Sequence, residues 1–476
     1  VNEYMNVLNY ERDSIAVHNG ELTYTEITKN TLQQIEEKSS LNAFLYLHEE
    51  ALNIAKVADE RVNNAPLLNG MTIALKDNIS AIGMPMTCAS KMLEHFQPMY
   101  NATVVKRLKE HGSIILGKVN MDEFAMGSSG ETSYYGPTDH PMFSGYVPGG
   151  SSSGSAVAVA AGLCHASLGS DTGGSVRQPA AFCGIYGFKP SYGRISRFGL
   201  TAFASSLDQI GIFSGDMPTM ARVFDAISGH DEHDSTTASI PPSRSYSTMM
   251  NHPVDLQKIT LAILPEDELT GLDPEVRKAY DHTIDLLKNA GVNFIHASIP
   301  GSKAWIPTYY ILATAEASSN LARFDGVRYG WRDSSDISDM TSATRSTGFG
   351  KEVKRRIMLG TYVLSSGYYE AYYLKAQKAR RAISEGYVTI FSQADAMLLP
   401  TTAGLPFKRG EKKDPLEMYL SDYFTVSSNI AGIPSISFPV GFSGQGLPIG
   451  MQLQASLMND EKLLSITHAV SGIVST

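Results

Sequence analysis

Residues 148–162 read PGGSSSGSAVAVAAG, and how three consecutive serines enter a small, apolar run decides the fold. SAVAVAAGL at 155–163 predicts a helix, and HASLGSD at 165–171 predicts a strand that carries the chain back to TGGSVRQPA. A helix of about nine residues climbs roughly 13 Å and a strand of about six returns roughly 20 Å. Ser151, ahead of the helix, and Ser175, just past the strand, are therefore expected to meet. Gly173 and Gly174 let the turn curl so that successive backbone N–H groups point inward, as an oxyanion hole requires.

Upstream, GMTIALKDNIS at 70–80 alternates, with Met71, Ile73 and Leu75 on one face of a short strand that ends at Lys76. Ligands of open α/β sheets sit at the carboxyl ends of strands, so Lys76, Ser151 and Ser175 are expected in one crevice. A serine hydroxyl needs a base to become a nucleophile, and lysine serves when it is neutral. Burial lowers a lysine pKa from its usual value of about 10.4. A second serine can relay the proton, and Ser-Lys pairs are recognised alternatives to Ser-His-Asp.

Blander readings stand beside this one. A Ser/Gly run is also a turn, and a lysine that ends a strand is also a solvated edge charge. As a phosphate cradle the stretch lacks the Lys-Ser/Thr ending. Gly150-x-Ser152-x-Gly154 matches a nucleophile elbow, which would need a late Asp and a His such as His468. Pro148, Gly149 and Gly150 suit the central strand before an elbow poorly.

Outward from this centre the rhythm is α/β. TYTEITKNTLQQIEEK opens on a Thr23–Glu26 capping box, another helix follows at 49–62, and NATVVKRLKEHG predicts a helix stopped by Gly112 before a strand at 113–117. Strand, helix and strand recur over KITLAILPED, LDPEVRKAYDHTIDLLKNAG and VNFIHASIP, with Asp273 as N-cap, Pro274 at the first helical position and Gly291 past the end. The polar stretch 229–253 is either a surface connection or a soft boundary. The expectation is one α/β domain over 1–476, with a helical segment at 1–65, a core at 70–230 and a helical addition at 301–390.

Composition narrows the function. With 476 residues, 43% hydrophobic and 18% charged, the chain is a folded protein with room for a deep site. Its net charge of -9 argues against a large direct contact with nucleic acid, which needs clustered Lys and Arg. Cys88, Cys164 and Cys183 form no CxxC pair and no zinc spacing, so no metal site is expected and a reducing, cytoplasmic setting is. No apolar run reaches membrane-spanning length and the start lacks a signal-peptide pattern.

GGSSSGSAVAVAAG, GSDTGGSVRQPAAFCGIYGFKPSYGRIS and the LKDN around Lys76 together resemble the amidase signature family. The resemblance implies a large central mixed β-sheet covered by helices on both faces. It also implies Ser175 as acyl-enzyme nucleophile, Ser151 as bridging serine after a cis peptide, Lys76 as base, and amides of Thr172, Gly173, Gly174 and Ser175 as the oxyanion hole.

KVNMDEFAMGSSGETSYYG, GFGKEVKRRIMLGTYVLSSGYYEAYY and DPLEMYLSDYFTVSSNIAGIPSIS are similar to the glutamine-hydrolysing branch of that family, found in tRNA-dependent amidotransferases. This implies a heterotrimer with a B and a C subunit, in which ammonia from glutamine passes to a partner. The partner would hold the tRNA, use ATP and Mg, and convert Glu-tRNA(Gln) to Gln-tRNA(Gln); no cofactor is implied in this chain.

Free glutamine is a zwitterion, and the resemblance places Arg356 on its α-carboxylate and Asp422 on its α-ammonium. Tyr309 or Tyr310 would line the pocket, and backbone groups around Gly127 and Ser128 would approach the amide. Read alone, Arg356 is a solvated helix charge among Lys351, Lys354 and Arg355, and Asp422 a helix cap. Ser153, where the family favours glycine, and Ile212, where it favours proline, are expected to touch loops. The rivals are a stand-alone amidase acting on another small amide and a non-catalytic assembly subunit.

Overall fold

The computed structural model describes residues 7–334 and 336–474; the first six residues of the expected N-terminal segment lie outside it. Among the described residues eleven strands form one sheet in the order β1-β3-β2-β4-β6-β5-β10-β11-β9-β7-β8. In chain order these are β1 Phe44–Leu47, β2 Thr72–Lys76, β3 Ile114–Val119, β4 Ala166–Asp171, β5 Tyr186–Lys189 and β6 Gln209–Ser214. The second half comprises β7 Thr260–Ile263, β8 Asn293–His296, β9 Ala396–Pro400, β10 Ser435–Phe442 and β11 Pro448–Gln454. The sheet is mixed: β2 runs parallel to β3 and β4, whereas β4, β6, β5, β10 and β11 pair antiparallel in succession.

The alternation read in GMTIALK understates the burial. β2 lies between β3 and β4, and all five of its residues are buried, because a strand covered on both faces needs no polar side. The helix after the serines is Ser153–Ala160, also buried along its whole length. Its small side chains let it lie close to the sheet.

Two strand readings need correction. FLYL at 44–47 is the edge strand β1, inside a segment expected to be helical; four consecutive apolar residues carry no period by which to recognise them. Ile212 is not in a loop: it lies in β6, buried between Leu168 of β4 and Phe188 of β5.

The capping box at Thr23 forms in both directions and starts the helix Tyr24–Glu37. Asp273 caps Pro274–Asn289. The 229–253 stretch is a connection pinned to the helix Thr103–Glu110 and to the loop after β5, since Asp231 accepts from the hydroxyls of Thr103 and Ser196 at 2.5 Å each, and Arg194 and Arg107 hold its carbonyls. Helices Trp305–Asn320, Ile337–Gly348, Lys351–Leu364 and Lys375–Phe391 build the 301–390 addition, with a π-helical turn at Tyr369–Leu374. No helix among the described residues is long and apolar enough to cross a membrane.

Candidate active site

Lys76, the last residue of β2, is fully buried. Its Nζ lies 2.8 Å from Ser151 Oγ, 2.8 Å from Ser152 Oγ and 2.9 Å from Ser170 Oγ. The Gly150–Ser151 peptide is cis. Burial dominates the lysine and pushes its pKa down to about 7, although the carboxylates of Asp122, Asp171 and Asp208 pull it back up. Near neutrality the amine is therefore free to accept a proton in a substantial fraction of molecules.

The proton inventory around the amine is restrictive. Ser152 donates its hydroxyl hydrogen to the Ser170 carbonyl (3.1 Å) and accepts from the Ser170 N–H (3.3 Å), so toward Lys76 it can only accept. Ser170 Oγ also accepts from Asn78 Nδ2 at 3.0 Å. A neutral amine with two hydrogens gives them to Ser152 and Ser170 and turns its lone pair to Ser151.

Ser175 stands where the geometry of helix and strand required. Its carbonyl accepts from the Ser152 N–H at 3.3 Å, which puts it beside the serine run. It is partly exposed, and its hydroxyl meets no partner among the described residues. The turn before it is held by Asp171, which accepts from the N–H groups of Gly174 (2.8 Å) and Val176 (3.2 Å). This corrects the oxyanion set: the Gly174 N–H is committed to a carboxylate, and the N–H groups of Thr172, Gly173 and Ser175 remain. Burial would raise the Asp171 pKa, but Arg177, 3.1 Å away and equally buried, holds it down to about 2. Glycine at 173 is a matter of space, because a Cβ there would stand 2.4 Å from the Tyr309 ring.

The expected zwitterion residues also converge. Asp422 occupies the N-cap position of Tyr423–Ala431 but makes no side-chain cap. Its Oδ2 instead accepts from Ser128 Oγ (2.8 Å) and Tyr310 OH (3.3 Å). Burial raises its pKa to about 7 against the opposing pull of Ser128, Arg356 and Tyr310. Arg356 is 3% exposed, unlike a solvated helix charge. Its guanidinium sits among the rings of Phe203, Tyr310 and Tyr419, and its Nε donates to Glu352 at 2.9 Å. Its two Nη groups meet no acceptor among the described residues, which leaves a fork open to a carboxylate.

Gly127, Ser128 and Arg356 line one cavity of about 230 Å³. Tyr310 touches both Asp422 and Arg356, while Tyr309 packs behind Gly173. The cavity is tied to the serines by Gln178, whose amide donates to Ser128 O (2.9 Å) and accepts from Gly150 N (3.0 Å). Thr425 makes a second tie, bonding both the Gly173 and Asp422 carbonyls.

Sequence reasoning missed Ser170, Asn78, Gln178, Glu352 and Tyr419. Ser170 could have been suspected from its place at the end of a strand next to the lysine strand. The elbow reading fails, because Ser152 faces Lys76 and no histidine, and His468 lies toward Asp216 and Glu11. Among the described residues no group of His, Cys, Asp and Glu is arranged to hold a metal ion.

A buried lysine presented to serines at the end of a mixed sheet is the frame of a lysine-dependent serine hydrolase. The chain belongs to the Amidase family, whose model matches residues 26–464. It is 47% identical over 460 residues to the A subunit of glutamyl-tRNA(Gln) amidotransferase from Prochlorococcus marinus, covering 95% of this chain and 94% of that one. With the protein of the same name from Koribacter versatilis it shares 49% over 475 residues, 98% of each. The crystal structure of the A subunit of glutamyl-tRNA(Gln) amidotransferase from Thermotoga maritima superposes with a TM-score of 0.80 at 41% identity, covering 95% of this chain and 92% of that one.

Proposed function

We propose that this chain is the glutaminase subunit of a tRNA-dependent amidotransferase, hydrolysing glutamine to glutamate and ammonia. The observation that carries the reading is the coexistence of an open guanidinium fork on Arg356, which lines the cavity tied to the serines, and a buried carboxylate on Asp422, which accepts from the cavity-lining Ser128. A simple amide would need neither, and a zwitterionic amino-acid amide uses both.

In the mechanism we infer, neutral Lys76 takes the Ser151 hydroxyl proton as Ser151 takes that of Ser175, which turns toward it when substrate is bound. Ser175 Oγ attacks the side-chain amide carbon. The oxyanion forms against the N–H groups of Thr172, Gly173 and Ser175. The proton returns along Ser151 to the leaving nitrogen, the C–N bond breaks and ammonia departs. Water then attacks the glutamyl ester with the same relay as base, releasing glutamate and restoring Ser175.

The relatives are themselves named as one subunit of an amidotransferase, which supports assembly with further subunits. We infer B and C partners, with the tRNA held and ATP and Mg used on the partner, in keeping with the net charge of -9 on this chain. The setting we infer is the cytoplasm, where such an acceptor is made. The test is ammonia release from glutamine by the complex purified from its native cell, with wild-type chain and with Ser175→Ala. Loss of release in the variant is expected; unchanged release would overturn the assignment.

A further inference from the structure

Glu123 is buried at 4% exposure and has no part in the relay or the zwitterion clamp. One oxygen accepts from Ser90 Oγ at 2.5 Å and the other from the Gly350 N–H at 2.8 Å. Gly350 is the N-cap of Lys351–Leu364, the helix that bears Arg356, about 9 Å further along its axis. Ser90 also reaches the Gly348 carbonyl at 3.3 Å, so the two side chains grip the junction Gly348–Gly350 from both ends. The fit leaves no slack: a Cβ on Gly350 would stand 2.1 Å from the carboxylate.

The residues on either side of Glu123 extend the grip. Phe124, at φ 50°, sets its ring 5.6 Å from that of Phe349 in the same junction. A non-glycine residue in the left-handed region costs free energy and persists where surrounding contacts impose it. Asp122 turns the other way: its N–H donates to the Ser151 carbonyl at 3.0 Å, and its carboxylate accepts from Gly130 N and from Thr132 N and Oγ1. Three consecutive residues thus join the relay serine to the helix that carries the guanidinium.

We propose that Glu123 is a positioning residue for substrate selection, holding the Arg356 helix in register with the serine relay so that the α-carboxylate and the scissile amide are met together. It acts through Gly350 and touches no reacting atom. The proposal rests on the glutaminase reading, and the experiment separates the two. Wild-type complex that releases no ammonia from glutamine would refute the reaction, whereas an active wild type with an indifferent Glu123 would refute the strut.

Steady-state kinetics of ammonia release by the complex should show Glu123→Ala raising the glutamine KM about 10-fold or more with kcat within about twofold, because the relay is untouched. A residue that merely stabilised the fold would lower kcat through the active fraction and leave KM alone. Glu123→Gln should return KM to within about threefold of wild type. Its oxygen can keep the Gly350 N–H, and its amide can donate to Ser90, whose hydroxyl then turns to the Gly348 carbonyl. Gly350→Ala, which keeps the carboxylate but displaces it, should raise KM as Glu123→Ala does. An unchanged KM in both Glu123→Ala and Gly350→Ala, or a Gln variant as impaired as the Ala variant, would overturn the proposal.

Discussion

Lys76 Nζ lies 2.8 Å from Ser151 Oγ, while the neighbouring Ser152 hydroxyl has already given its hydrogen to the Ser170 carbonyl. One hydroxyl is left to supply a proton and another is held as an acceptor. Position in the hydrogen-bond network separates two adjacent serines that are chemically identical.

Removal of any relay member should abolish ammonia release. Ser175→Ala, Ser151→Ala and Lys76→Ala are each expected to lower kcat at least about 10³-fold, and any double variant to be no worse than the weakest single one, since groups acting as a unit are not additive. Strict additivity in the double variants would break the relay into independent parts.

The pH profile should be unusually steep. In the mechanism proposed above Lys76 works neutral and Asp422 ionised, and burial brings the pKa of both to about 7. Protonation of either inactivates, so log kcat/KM is expected to fall with a slope approaching two below that pH. In Asp422→Asn the slope should drop to one. A wild-type slope of one that the variant leaves alone would show that a single group governs the limb.

The zwitterion clamp predicts a binding defect. Arg356→Lys loses the planar fork, and Asp422→Asn loses the charge proposed to meet the α-ammonium. Hydrogen bonds to charged groups are worth about 1.5–3 kcal/mol, so each change should raise the glutamine KM about 10- to 100-fold with kcat within a few-fold. Unchanged KM values would favour an amide without the α-carbon charges.

The buried lysine also makes stability depend on pH. The folded-state pKa of Lys76, about 7, lies below the unfolded value of about 10.4, so between these pH values the unfolded chain binds the extra proton. Stability therefore rises with pH across that window, by an amount on the order of 4 kcal/mol for this group. Lys189, lowered by burial to about 7 as well, adds a similar rise. Lys76→Met should remove about half of the increase in unfolding free energy between pH 7 and 9.5 in urea titrations. A variant that retains the full wild-type increase would mean that Lys76 stays charged in the fold.

Local signals were legible wherever the cause is local. The Thr23–Glu26 box, the Asp273 cap with Pro274 behind it, and the helix and strand flanking Gly162 follow from side chains a few residues apart. β1 was not legible, because FLYL becomes a strand only by pairing with β3. The nature of Ile212 as a central strand residue was hidden for the same reason.

At the site, the sequence by itself determined which residue types were available: a lysine at a strand end, serines on both sides of a helix–strand return, and glycines to curl the turn between. Tertiary structure alone decided their roles. It closed a buried shell around Lys76 that moves its pKa to about 7, and withdrew Arg356 from solvent. It set Asp422 against Ser128 and Tyr310 beside Arg356, and it bonded Gln178 to Gly150 and Ser128 and Glu123 to Gly350. Desolvation and hydrogen-bond geometry depend on neighbours tens to hundreds of residues away in the chain, and no stretch such as GGSSSGS carries them.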